Sequence, residues 1–149
     1  MGSVVCVRKI FKGNKTIETL SISDNIRIIS NRAFQDCPNL KSVKMANSVT
    51  YIGYWAFYNC PELRELNLST KLQELYGGAF SKTGLRKVTI PASLTTVDDT
   101  GNYGPFSNCD YLTSAVIAEG AKTIPYCLFL NCYSLQSVSI PSSMKSINN

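Results

Sequence analysis

The chain has 149 residues, 44% of them apolar, 10% aromatic and 17% charged, with six cysteines and no histidine. That composition argues against disorder, no apolar run approaches the roughly 20 residues of a spanning helix, and the missing histidine removes Ser-His-Asp triads, Cys-His dyads and His-ligated metal sites. Fifteen Lys+Arg against ten Asp+Glu give a net charge of +5, with eight basic and three acidic residues in 1–44; the surplus either draws an anionic partner or solvates the surface, and it is too dispersed for a nucleic-acid arm.

Met1-Gly2-Ser3 reads as an expression scar, and the apolar run at 4–7 is too short for the core of a signal peptide. Residues 1–10 are therefore expected to be scar and irregular entry. From residue 11 a repeat sets the organisation. Phenylalanines fall at 11, 34, 57, 80, 106 and 129, spaced by 23 except for one step of 26. Other columns march with them. Ile29, Ile52, Leu75 and Ile124 stand five before a Phe, and Ala33, Ala56 and Ala79 just before it. Cys37, Cys60, Cys109 and Cys132 stand three after; Ile17, Leu40, Leu63, Leu112 and Leu135 stand six after. An L-x-x-V-x-I pattern then follows, as in Leu40-x-x-Val43-x-Met45.

A 23-residue unit cannot hide its own apolar face, but stacked copies hide each other's. Within each coil the short alternating segment around Val43-Lys44-Met45 predicts a strand. A second extended piece, such as Val49-Thr50-Tyr51-Ile52, is expected on the opposite side, and a helical turn or irregular loop carries the Ala-Phe pair into the core. Stacked strands lie about 4.8 Å apart in a parallel sheet, so six coils span about 30 Å. The expected fold is a right-handed repeat solenoid of α/β type, mostly β and irregular, over residues 11–149. The irregular step comes from one residue missing after Phe80 and four added between Val97 and Phe106. The added run Asp98-Asp99-Thr100-Gly101-Asn102 predicts a bulging loop. Both ends look cut, which suggests a segment of a longer protein or an oligomer paired through uncapped ends.

The unit A-F-x-x-C-x-x-L-x-x-V-x-I-P-x-S-V-x-x-I resembles the BspA-like leucine-rich repeat. Ala56-Phe57-Tyr58-Asn59-Cys60-Pro61-Glu62-Leu63 and Val138-Ser139-Ile140-Pro141-Ser142-Ser143-Met144 fit it closely. The resemblance implies a surface-exposed or secreted protein of bacteria or protists, similar to adhesins that bind host matrix proteins, plasma proteins or other cells; a cytoplasmic location stays open. Thr83 in the cysteine column, Gly84 beside it and Leu128 in the small-residue column depart from the pattern. They are read as touching repeat geometry alone.

Candidate chemistry is sparse. Stacked cysteines of one column lie within disulfide range, but their parallel side chains favour reduced thiols that satisfy loop backbone. Cys6 and Cys127 fall off the column and are the candidates for exposed thiols. No zinc-type pairing of cysteines, P-loop or nucleophile with its base is present. Asp98 and Asp99 are a weak calcium candidate, and two N-x-[ST] sequons begin at Asn14 and Asn67. Tyr54, Trp55, Tyr58 and Tyr76 form a predicted aromatic ridge, read either as a binding patch or as shielding of a sheet edge. Lys41, Arg64 and Arg86, with Lys44 and Lys87, line the strand face and suit an acidic protein or a sulfated glycan, or merely keep the array soluble. The sequence thus predicts no catalytic residue, cofactor or metal, and no nucleic-acid binding. It predicts a non-enzymatic module that recognises protein, and the resemblance implies that this is a host matrix or cell-surface protein bound in adhesion. A structural spacer or a carbohydrate-binding accessory domain is the alternative.

Overall fold

The computed structural model describes residues 5–7, 9–98, 103–144 and 146–147. The insertion loop at 99–102 and the terminal residues read above as scar and cut end lie outside them. Among the described residues, thirteen short strands follow one another: β1 (Val5–Val7), β2 (Thr19–Ile22), β3 (Ile26–Ile29), β4 (Ser42–Met45), β5 (Tyr51–Ile52), β6 (Glu65–Asn67), β7 (Glu74–Tyr76), β8 (Lys87–Ile90), β9 (Thr96–Asp98), β10 (Ser114–Ile117), β11 (Thr123–Ile124), β12 (Ser137–Ser139) and β13 (Ser146–Ile147). The one helical element among them is a single 3-10 turn, Lys9–Phe11.

Each coil supplies one strand to either of two rows, and every pairing is parallel. The even strands carry the L-x-x-V-x-I pattern. They align Leu20, Val43 and Leu66 in one register, and Val88, Ala115 and Val138 in another. Alternation does the sorting: in β4, Val43 and Met45 are buried while Lys44 is exposed. The odd strands form a five-stranded sheet, β1-β3-β5-β7-β9, and a separate β11-β13 pair. Coil follows coil with translational order, as the repeat requires.

Between the two rows runs the core. The rings of Phe11, Phe34, Phe57, Phe80 and Phe106 stack at centroid spacings of 5.1–5.2 Å and within 4–9° of parallel. Phe129 ends the spine at 5.9 Å, tilted by 35°. Such spacings suit offset stacking, in which each ring meets the next without setting one negative face squarely on another. The alanine before three of the phenylalanines leaves room for the ring: Ala33, Ala56 and Ala79 are fully buried.

The Ala-Phe segment is neither helical nor irregular; it is a turn that repeats. The residue two after each Phe has a left-handed backbone: Gly13, Asp36, Asn59, Lys82, Asn108 and Asn131. Arg32, Trp55, Gly78 and Cys127, two before a Phe, are left-handed as well. These reversals aim each Phe N–H at the next coil. Phe34, Phe57 and Phe80 donate to the carbonyls of Ala56, Ala79 and Pro105 at 2.7 Å, and Phe106 donates to that of Leu128 at 3.2 Å. A third hydrogen-bonded side thus closes each coil, with buried backbone groups paired as an apolar core demands.

The regularity fails at one place. The even row divides into β2-β4-β6 and β8-β10-β12, with no pairing between β6 and β8. Elsewhere the residue after each Leu of the repeat donates across the coils, as in Arg64 N–H to the Lys41 carbonyl at 3.0 Å and Thr113 N–H to the Arg86 carbonyl at 3.0 Å. The equivalent bond from Arg86 to Arg64 is absent among the described residues. The missing residue after Phe80 explains the seam, because it shortens the path from the spine to Leu85 and pulls the start of β8 out of register. Gly84 makes the short path feasible: a side chain there would run into the Pro61 carbonyl.

Candidate recognition surfaces

The cysteine column is structural. Cys37, Cys60, Cys109 and Cys132 are buried, and all six cysteines are free thiols. Their sulfurs donate to the carbonyls of Phe11, Phe34, Phe80 and Phe106 at 3.0–3.3 Å, each one coil back along the spine. The neighbouring Cys37 sulfur, and then burial, push the Cys60 thiol well above its ordinary range; Cys109 and burial do the same to Cys132. Both stay protonated donors at neutral pH. Thr83 takes the column's place in the fourth coil, but its hydroxyl donates to the Phe80 carbonyl of its own coil at 2.8 Å. Cys6 and Cys127 are half-buried, more open than the column.

The five predicted cations all lie on the outer side of the even strands, where Lys41, Lys44, Arg64, Arg86 and Lys87 are exposed. They do not form one continuous ladder. Lys41 Nζ lies 2.7 Å from Glu18 and Arg64 3.0 Å from Glu62, so two of the cations already have acidic neighbours. Such exposed pairs add little stability, but they lower the local positive field. The seam between β6 and β8 then parts Lys41, Lys44 and Arg64 from Lys87 and the start of β8. Arg64 and Arg86 meet only across a small cleft of about 180 Å³, with Glu62, Gly84 and Tyr111 on its walls.

The aromatic residues divide too. Tyr54 packs on Trp55 at 5.6 Å and on Tyr76 at 5.0 Å, and Tyr51 reaches Tyr76 at 4.9 Å. These rings cluster where β5 and β7 end, on the odd row and away from the basic residues. Arg32 from the preceding coil lies 4.9 Å from the centre of the Trp55 ring. From the following coil Gly78, at φ +66°, lets the indole lie directly over its backbone; any side chain there would strike the ring. Tyr76 donates to Glu74 at 2.9 Å, and that bond, ahead of burial, pushes its phenol up to about 12. Sequence reading missed Tyr51 and Arg32; the 23-residue period that aligns Arg32 with Trp55 held the signal. Tyr58, one residue after Phe57, instead has Lys82 of the next coil 5.5 Å from its ring centre.

Among the described residues no group of three or more Cys, Asp or Glu is placed to hold a metal ion. The calcium candidate falls outside the description, since nothing is placed for Asp99 or the side chain of Asp98. Asn14 accepts from the backbone of Thr16 and Ile17 at 2.8 Å in a local turn, and the sequon at Asn67 ends in the fully buried Ser69. No helix among the described residues is long and apolar enough to cross a membrane.

Parallel coils of 23 residues, an internal phenylalanine spine and exposed variable columns define a leucine-rich-repeat solenoid. The BspA-type leucine-rich repeat region matches residues 7–105 and 102–149 in six copies, and the chain belongs to that family. The solved structures agree. A leucine-rich cell surface protein from Faecalibacterium prausnitzii is 29% identical with a TM-score of 0.69, over 87% of this chain and 33% of that one. A leucine-rich repeat protein from Bacteroides ovatus is 26% identical with a TM-score of 0.67, over 97% of this chain and 43% of that one. The leucine-rich repeat protein of T. pallidum, at 22% identity and a TM-score of 0.57 over 85% of this chain and 71% of that one, shares the fold. No curated protein sequence matches the chain significantly. The chain spans a third to less than half of the first two relatives' length. Proteins built of such repeats are in general interaction or surface proteins.

Proposed function

We propose that the chain is a non-enzymatic recognition module that binds a protein ligand, a host matrix or cell-surface protein, at the cell surface or after secretion. The observation that carries this reading is the Tyr51, Tyr54, Trp55 and Tyr76 cluster with Arg32 stacked against it. Tyr, Trp and Arg are the residues that dominate binding energy at protein interfaces, because they combine large apolar faces with polar tips. Here they come from successive coils held rigid by the spine, so little ordering entropy remains to be lost on binding. The exposed cations on the even row supply a second, weaker contact surface that steers an acidic partner. The cell-surface relative from F. prausnitzii supports the location.

The test is surface plasmon resonance against a panel of purified matrix and plasma proteins. Trp55→Ala is expected to weaken the best binder by about 30-fold, the size of an interface hot spot of about 2 kcal/mol. Arg64→Ala is expected to slow association, and by less at high salt. Binding that both variants leave unchanged overturns the surface proposed here. No binding to any member of the panel favours a structural spacer that carries other domains.

A further inference from the structure

The shortened fourth coil does more than break a ladder. Concavities run along this coil where it is one residue short after Phe80 and beyond. One cavity of about 540 Å³ is walled by Tyr58, Asn59 and Pro61 of the third coil, Lys82 and Thr83 of the fourth, and Tyr103, Asn108, Asp110 and Tyr111 of the fifth. The cleft holding Arg64 and Arg86 continues from it, sharing Pro61 and Tyr111. A further hollow of about 320 Å³ lies at the other end of the same coil, between Leu66 and Leu68 on one wall and Ala118 on the other, over Thr89, Pro91 and Ala92. Each of the three hollows is lined by residues of the third, fourth and fifth coils.

We propose that this trough binds a neutral oligosaccharide, with its main subsite in the cavity of Tyr58, Tyr103 and Tyr111. Three features of the site select that ligand class. Tyr103 and Tyr111 are 48% and 63% exposed, so a ligand in the cavity reaches both side chains. The axial C–H groups of a pyranose carry slight positive charge and settle on the negative face of such rings. Around the rings stand Asn59, Asn108, Asp110 and Lys82, planar or charged groups suited to pairs of vicinal hydroxyls. The wall charges nearly cancel: Lys82 and Asp110 both line the cavity, and in the cleft Arg64 is paired with Glu62 at 3.0 Å, which leaves the one cation Arg86 in excess. A polyanionic chain gains little from a single surplus cation, and an apolar ligand would strand the polar groups of the lining. The cavity falls within the roughly 300–1,000 Å³ of small-molecule sites, and its open length suits a chain rather than a single compact molecule. Tyr103 stands three before Phe106 as Tyr54 stands three before Phe57, so the subsite borders the aromatic side of the array, and single variants at Trp55 and Tyr111 are what tell the two sites apart.

A glycan microarray followed by titration calorimetry with cellotetraose, maltotetraose, chitotetraose and a heparin tetrasaccharide tests the assignment. A neutral tetrasaccharide is expected to bind in the roughly micromolar to millimolar range. Tyr111→Ala and Tyr103→Ala are each expected to weaken it about tenfold or more, whereas Tyr133→Ala, on an 86% exposed ring outside the trough, leaves it unchanged. Replacing Thr83-Gly84 with the triplet Cys109-Asp110-Tyr111 of the next coil restores the missing residue, fills the trough and is expected to abolish binding. Trp55→Ala leaves sugar binding intact, and Tyr111→Ala leaves binding of a protein ligand intact, so failure of one site is distinguishable from failure of the other. Binding by heparin alone, no binding by any neutral sugar, or binding indifferent to both tyrosine variants overturns the proposal.

Discussion

Two serines one coil apart show how finely the repeat constrains single side chains. Ser81 and Ser107 each follow a spine phenylalanine and both are fully buried. The Ser107 hydroxyl donates to the Gly104 carbonyl at 2.7 Å, whereas that of Ser81 has no partner among the described residues. A buried hydroxyl without a partner forfeits its hydrogen bonds to water and gains none in return. Ser81→Ala is therefore expected to stabilise the chain by about 1 kcal/mol, and Ser107→Ala to destabilise it by about 1 kcal/mol. Urea melts of the two variants check both signs; equal effects would show that the column, and not the partner, decides. The same column logic made the cysteines legible from sequence. A small side chain with a weak donor, repeated three after each Phe, is what a buried carbonyl of the neighbouring coil needs, and four of them make that bond.

The strands are the most local of the elements and the most readable. Alternation alone places Val43 and Met45 inward and Lys44 outward, so β4, β8 and β10 were legible residue by residue, whereas in the last coil Val138 and Ile140 of the same pattern are exposed. The turn around the Ala-Phe pair was not. Its residues show no hydrophobic period, and its left-handed column mixes Gly13 and three asparagines with Asp36 and Lys82. Gly, Asn and Asp tolerate positive φ at little cost, and their recurrence two after every Phe but Phe80 was the available signal. This element carries its own prediction. At Asn131, with φ 58°, Asn131→Gly is expected to be neutral or slightly stabilising, whereas Asn131→Val costs about 1–2 kcal/mol because a β-branched side chain clashes in that conformation. Thermal melts compare them directly. If valine proves as stable as glycine, the turn relaxes and the column is not a conformational requirement.

At the scale of the whole molecule, stability is shared along one line of rings, each coil supported by its neighbours. Phe57 is fully buried with a stacked ring on either side at 5.1 Å, whereas Phe129 is half-buried and meets Phe106 at 5.9 Å and a tilt. Phe57→Ala is expected to cost about 3–5 kcal/mol and to unfold the array as a unit, while Phe129→Ala costs less than half as much and frays one end. Hydrogen exchange read coil by coil separates the two behaviours. The predicted binding residues divide at this scale as well. Lys41, Lys44, Arg64, Arg86 and Lys87 lie along the even row, Tyr54, Trp55 and Tyr76 cluster at the odd row, and Tyr58 lines the cavity over the fourth coil, from which a cleft leads to Arg64 and Arg86. Linear columns told which residues repeat, but not which sides of the coil carry them.

The coil length, the spine, the inward and outward columns and the family all followed from the sequence, because each is a translational repeat written out six times in residue order. The seam, the trough and the pairing of Arg32 with Trp55 were decided only by the packed structure. The one-residue deficit after Phe80 is visible in the letters. Its consequence depends on how far the neighbouring coils, fixed by their own contacts, decline to follow the shortened one, and no single unit encodes that.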